Sequence, residues 1–321
     1  MTLPAIKPRR LKEGDTIGVP APASHLDSDD RIRRAIEIVA SLGFKIKEGQ
    51  HLHARYGYFA GTDQERAADL NALFADAQVD GIICLTGGWG ASRLLPYLDF
   101  GLIQKNPKVL MGFSDITALL NAIFALTGLV TFHGLVADKV FSPYSLTEFK
   151  KVVLEAQKDV LLGSPPPFRP AEGQVERINR VIHIRPGKAR GRLVGGNLSL
   201  ISHLIGTPYL PDLHDKILFL EDVHEEVYRI DRMLTQLKLS GWLAGVAGIV
   251  FGKFTDCSLS MSARQFTLEE VLASFCQEVG VPAVSGLMIG HVDDQTTLPV
   301  GCLAELDAQI GSLRLLEAAV E

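Results

Sequence analysis

No apolar run in this sequence is long enough to cross a bilayer: the best stretch, Ala118 to Phe132, is short and is interrupted by Asn121 and Gly128. No membrane association is expected. Residues 1–15, MTLPAIKPRRLKEGD, carry prolines and charges where a secretory leader needs an apolar core, so the expected location is the cytoplasm. Cysteine is scarce. Cys84, Cys257, Cys276 and Cys302 lie far apart without a C-x-x-C pair, which argues against zinc ligands or a disulfide framework and for packed, reduced thiols. An excess of one charge is also missing: the formal net charge is -5 and the Lys and Arg residues are scattered, so no basic stripe is available to grip nucleic acid. Neither a GxGxxG motif nor a P-loop occurs, and there is no internal repeat.

What is present suits a large soluble protein. The 321 residues are 47% hydrophobic, enough to bury a sizeable core and to build two domains. The sharpest local pattern is residues 108–125, KVLMGFSDITALLNAIFA. Val109, Leu110 and Met111 form a short continuous apolar run, as in a strand buried on both faces, and Ile116, Leu119, Leu120 and Ile123 then recur at helical spacing. Gly112 relieves the bend, leaving Ser114 at the apex of a strand, turn and helix. A serine there projects its hydroxyl past the strand end, and the Asp115 N–H at the new helix start can face developing negative charge. The competing reading is that Ser114 or Asp115 caps the helix.

Upstream, 15–19 reads as a strand running into a proline-rich loop at 20–24; a helix around Ile32 to Val39 stops at Gly43, and 44–46 is the next strand. His51 and His53 are spaced to share a strand face, although a metal would need a third ligand that is not nearby. Residues 63–77 make an amphipathic helix, and 81–85 a strand that empties into Thr86-Gly-Gly-Trp-Gly90. Those glycines let backbone N–H groups approach an oxyanion or a phosphate, or make a plain tight turn. A further strand, 128–132, leads into His133-Gly134. Alternation of this kind predicts a Rossmann-like parallel sheet flanked by helices, with the turns at Pro20, Gly87 and Ser114 on its carboxyl rim.

The first domain is placed at residues 1–143, followed at 144–175 by a connecting helix (144–162) and a proline-rich linker (163–170). A second domain occupies 176–321. In it PGKARGRLVGGN (186–197) is rich in glycine and basic residues, Asn197 caps a short helix at 198–205, and 216–220 is a buried strand ending in Glu221-Asp222. A helix at 225–239, a strand at 245–251 and a helix near 267–278 follow. Short strand-like segments after Ala283, separated by Gly290, Pro299 and Gly311, predict a β-rich, barrel-like α+β domain.

A serine hydroxyl is a weak nucleophile at neutral pH; it needs a base within hydrogen-bond reach, and the base needs a carboxylate to orient it. Ser114, Glu221 at a strand end and His291 in Gly290-His-Val-Asp-Asp-Gln-Thr-Thr-Leu-Pro-Val-Gly301 supply one group of each type, with His203, His214 and His224 as rivals for the base. Position alone does not choose among them. The segments RLKEGDTIGVPAPAS (11–25), GTDQERAADLNALFAD (61–76), TGGWGASRLLPYLDF (86–100), MGFSDITALLNAI (111–123), RPGKARGRLVGGNLSLISHLIGTPYLPDL (185–213), ILFLEDVHEEVYRIDRMLTQL (217–237) and GHVDDQTTLPVG (290–301) resemble the LD-carboxypeptidase family of serine peptidases, whose other branch is the microcin-immunity hydrolases. The resemblance implies a nucleophile at Ser114, an acid at Glu221, a base at His291 and an oxyanion hole formed by the N–H groups of Gly88 and Asp115, with Gly87 nearly as good a choice as Gly88. Ile116 stands where the α/β-hydrolase elbow, G-x-S-x-G, has its second glycine, so a different α/β architecture is expected. It further implies release of the terminal D-alanine from murein tetrapeptides in cell-wall recycling, no cofactor or metal, a small peptide as partner, and a homodimer. Two alternatives accompany this reading: an immunity hydrolase cutting peptidyl- or aminoacyl-nucleotides, with Trp89 stacking on the base, and a non-catalytic Rossmann-like binder. Arg93, near the glycine loop, is a candidate for holding the substrate carboxylate or else a surface ion pair.

Overall fold

The structure, a computed structural model, describes residues 3–168, 172–173, 175–176, 178–257 and 266–321. Residues 169–171 and 174 of the expected linker segment lie outside the described residues. The first half builds a parallel sheet from β1 (Thr16–Val19), β2 (Lys45–Glu48), β3 (Gly81–Ile83), β4 (Val109–Gly112) and β5 (Thr131–His133), in the order β2-β1-β3-β4-β5. Every residue of β3, β4 and β5 is buried, which is why these strands read as unbroken apolar runs rather than alternating ones. The helices between them are α1 (Asp29–Ser41), α2 (Asp63–Ala75), α3 (Phe100–Lys105) and α4 (Thr117–Thr127). Ser28 caps α1, and Thr62 with Glu65 forms a capping box on α2, so each helix starts where its backbone N–H groups find side-chain acceptors. Gly128, at φ 78°, ends α4 in the left-handed conformation that glycine adopts without a Cβ penalty.

The connecting region differs from its expected form. In place of one helix over 144–162 there is a short α5 (Pro143–Phe149), a π-helical turn at Lys150–Leu154, and a strand, β6 (Val160–Leu162). The second sheet runs β6-β14-β13-β8-β9-β10-β11-β7, with β7 (Ile182–Arg185), β8 (Lys188–Asn197), β9 (Lys216–Val223), β10 (Gly248–Thr255), β11 (Ala283–Ser285), β13 (Leu303–Asp307) and β14 (Ser312–Leu315). Its centre, β8 to β11, is parallel and its flanks are antiparallel. Helices α6 (Leu198–Leu204), α7 (Val227–Leu239) and α8 (Leu268–Val279) complete this half. One strand crosses over: β12 (Leu298–Val300) pairs antiparallel with β5 at the edge of the first sheet, where Pro299 is tolerated because an edge strand need not donate outward.

The segment rich in glycine and basic residues, to which the sequence assigns no element, forms the strand β8, which docks the halves. Gly195 and Gly196 sit at φ 141° and 139°, and a Cβ on Gly196 would stand 2.6 Å from the Thr117 side chain. That close approach lets Asn121 of α4 bond both backbone groups of Gly195 and lets Thr117 accept from the Asn197 N–H. The helix that follows Ser114 is thereby tied to β8, and β8 to β9, where Asn197 lies beside Glu221.

Candidate active site

Ser114 opens the turn just after β4, in the position the sequence suggests, and it does so with φ 61°, a left-handed backbone that a serine adopts only under constraint. Gly112 makes the bend possible, because a Cβ there would come within 2.8 Å of Ile116. The capping reading does not hold: neither the turn at Ser114–Ile116 nor α4 has a side-chain cap, and the Asp115 carboxylate accepts instead from the Ala91 N–H at 2.7 Å. Asp115 is buried, and desolvation pushes its carboxyl up to about 6, partly offset by that N–H and by the nearby Arg66 charge.

The turns after β1, β3 and β4 do meet on one rim. A Cβ on Gly87 would lie 3.2 Å from Ser114 Oγ and 3.5 Å from the Asp115 nitrogen, so the glycine loop lies directly against the elbow. The Gly87 carbonyl accepts from the Ser24 N–H at 3.3 Å, and Ser24 Oγ accepts from the Trp89 N–H at 3.1 Å. In a trans peptide C=O and N–H point in opposite directions, so the Gly88 N–H is turned away from Ser24. Beneath the rim, the fully buried Arg66 donates to the carbonyls of Pro22 and Gly90 and to Asp63, tying two rim loops to α2. Sequence reasoning passed over Arg66; the available signal was an arginine on the apolar stripe of α2, one turn before Leu70.

Glu221 lies near the end of β9, fully buried, and its Oε2 is 2.7 Å from His291 Nδ1. Gly290 makes this contact possible: at φ 102°, it would place any Cβ 2.4 Å from Glu221 Oε2. The loop that carries His291 is held from two sides. Thr255 of β10 donates to the His291 carbonyl, and α5 contributes Ser145, which donates to Asp293 O and accepts from the Gln295 N–H, with Ser142 donating to Asp294. The His291 ring centroid is 4.8 Å from that of Phe113, the residue before Ser114. Ser114 Oγ itself makes no hydrogen bond among the described residues.

The rival histidines are elsewhere. His203 is exposed on α6, His224 is exposed beside Asp256, and His214 pairs with Asp215 at the other end of β9, by a surface cavity of about 770 Å³ that contains none of the site's side chains. His51 and His53 lie in a turn rather than a strand and pair separately, the first with Asp69 and the second with Asp29 and Glu48. Arg93 makes a bidentate ion pair with Asp63 over the Phe59 ring, which is the surface-pair reading. Trp89 stands 64% exposed at the rim, edge-on to Tyr58. The cysteines are free, and burial raises the thiols of Cys84, Cys276 and Cys302 well above the ordinary range, so they are packing groups. Among the described residues no helix is long and apolar enough to cross a membrane.

Comparison with known proteins adds a second line. Residues 17–134 match the model of the LD-carboxypeptidase N-terminal domain, and residues 190–306 that of the LD-carboxypeptidase C-terminal domain. A probable murein peptide carboxypeptidase of Bacillus subtilis is 39% identical over 302 residues, covering 94% of this chain and 91% of that protein. Among solved structures, MccF in complex with glutamyl sulfamoyl guanosine superimposes with a TM-score of 0.87 at 27% identity, covering 98% of this chain and 99% of the other. The muramoyltetrapeptide carboxypeptidase from Oxalobacter formigenes gives 0.80 at 31% identity, covering 94% and 97%.

Proposed function

The chain belongs to the LD-carboxypeptidase family, and from that premise we propose that it is a metal-independent serine peptidase that releases the terminal D-alanine from murein tetrapeptides. The observation that supports this mechanism is the hydrogen bond between the buried Glu221 and His291, whose ring lies 4.8 Å from that of Phe113, the residue before Ser114 with its positive φ. Ser114 Oγ attacks the scissile carbonyl while the free Nε2 of His291 takes its proton; Glu221, bound to Nδ1, fixes the tautomer and stabilises the imidazolium. The negative charge that moves onto the carbonyl oxygen is met by the N–H groups of Asp115 and Gly88. Collapse of the tetrahedral species breaks the C–N bond, and His291 returns the proton to the departing D-alanine amine. Water, deprotonated by the same imidazole, then attacks the acyl-enzyme and frees Ser114.

The same reading makes the protein a cytoplasmic homodimer acting in cell-wall recycling, as the family resemblance implies. A second reading has support of its own: the exposed Trp89 beside the glycine loop offers a face for a nucleobase, and MccF was solved with an acyl sulfamoyl nucleoside. One assay separates them. The D-alanine-ending tetrapeptide, its all-L isomer, its C-terminal amide and an acyl-sulfamoyl nucleoside are compared side by side. Preferred release of D-alanine from the first, unchanged by EDTA, is expected; equal cleavage of the three peptides removes the LD-carboxypeptidase reading, and preference for the nucleoside promotes the second.

A further inference from the structure

Around the loop 290–297, three fully or almost fully buried side chains carry polar atoms without a partner among the described residues: both ring nitrogens of His133, Oε1 of Glu221, and both amide atoms of Gln295. Buried polar groups in native proteins are nearly always satisfied, so three such groups on the segments around one loop call for an explanation. His133 closes β5 and pairs through its backbone with Gly112 on one side and Leu298 on the other, so the loop that starts at His291 ends on His133. Its ring packs edge-on against Phe219 at 5.4 Å, and Phe219 leaves β9 on the same side as Glu221, two residues on. The Phe113 ring lies near both imidazoles, with centroids 6.2 Å from His133 and 4.8 Å from His291. Burial, reinforced by the neighbouring His291, pushes the His133 imidazole down to about 3, so it is neutral at working pH.

A neutral imidazole has one N–H donor and one acceptor nitrogen, while a carboxylate oxygen needs a donor and an amide offers either. Building on the triad mechanism above, we propose that His133 is a positioning residue: its N–H reaches Oε1 of Glu221 through one water, and it thereby sets the basicity of His291. The other charged groups near the pair are already engaged. Asp222 on β9 accepts from Asn197 and Ser199; Glu225 pairs with Arg229; Cys257 lies beyond β10; Asp115 on the elbow holds Ala91; in the loop, Asp294 accepts from Ser142, and Glu148 of α5 accepts from Thr296. None of them donates to Oε1.

Removing the His133 donor leaves the Glu221 charge less well stabilised and so more basic toward His291. The test is an NMR titration of the His291 ring, alongside the pH profile of kcat/KM, in wild type, His133→Phe and His133→Gln. In His133→Phe the His291 midpoint and the acid limb should both rise by about one unit, the size of one hydrogen bond to a charged group, with about tenfold lower kcat/KM below the midpoint. Gln retains a donor and should return both toward wild type. A folded His133→Phe with an unmoved midpoint and limb overturns the proposal. Should that variant not fold, the His133 ring ¹⁵N–H signal decides: it should shift in Glu221→Gln, and an unmoved signal overturns the proposal. Full turnover in Ser114→Ala would instead remove the serine mechanism while the titration still read the coupling.

Discussion

At the scale of single residues, the site depends on groups made reactive or inert by their surroundings. Ser114, held at a positive φ with no cap to make, is the nucleophile of the proposed mechanism, whereas Asp115 beside it is occupied in holding the Ala91 N–H. Replacing Ser114 or His291 with Ala should leave a folded protein whose kcat falls on the order of 10⁴- to 10⁶-fold, and Glu221→Ala should cost somewhat less, because triad members act as a unit. Steady-state kinetics with circular dichroism as the folding control checks this; near-normal turnover in folded Ser114→Ala would refute it. Asp115 makes a pH prediction. Its carboxyl value in the fold, about 6, lies above the ordinary 3.8, so its stabilising contribution is complete below pH 3.8 and is lost as pH rises through about 6. Asp115→Asn keeps an oxygen for Ala91 without that loss. Its stability relative to wild type should therefore improve between pH 4 and 7 by on the order of 2–3 kcal/mol. Urea unfolding at the two pH values measures it, and a constant difference would count against the burial argument.

At the scale of elements, two placements hold the rim and the loop. Gly290 is required both by φ 102° and by the closeness of Glu221 Oε2. A methyl there must push the His291 loop off the carboxylate, and an error near 1 Å costs about 10²-fold in rate. Gly290→Ala should accordingly lose about 10²-fold or more in kcat, and unchanged kinetics would show that the loop has room to spare. Arg66 joins α2 to the Pro22 and Gly90 loops from a buried position. Arg66→Met fits the space but leaves Asp63, still paired with Arg93, and two carbonyls with fewer donors, and losing hydrogen bonds to a charged group costs about 1.5–3 kcal/mol. Thermal unfolding should show a matching drop in stability together with reduced turnover, since the Gly87–Gly90 loop loses its support; an unchanged melting temperature would contradict it.

At the scale of the molecule, the two sheets are interleaved. Ser114 lies on the first, Glu221 and His291 come from the second half, and β12 returns from that half to close the first sheet beside β5. A fragment of residues 1–143 would expose the β5 edge and lack two of the three groups, so it should hydrolyse no substrate; turnover by that fragment would show the mechanism to be misassigned. The sequence by itself determined the local elements of the first half, because strands buried on both faces leave continuous apolar runs and capped amphipathic helices leave a regular stripe with a marked start. It also determined the elbow, since the change from an apolar run to helical spacing across Gly112-Phe-Ser-Asp is a purely local signal. Local pattern did not choose which histidine meets Glu221; the family resemblance pointed to His291, and the tertiary structure brings the two together, for that pairing joins residues seventy positions apart and depends on a glycine before His291 and on clamps from β10 and α5. The tertiary structure likewise decided that 188–197 is a strand and 160–162 another: Gly195 and Gly196 lack strand propensity, and their form is imposed by the close approach of α4 and β9. The buried ties of Arg66 and the role proposed for His133 could not be read for the same reason, since they come from burial against distant segments rather than from the residues beside them in the chain.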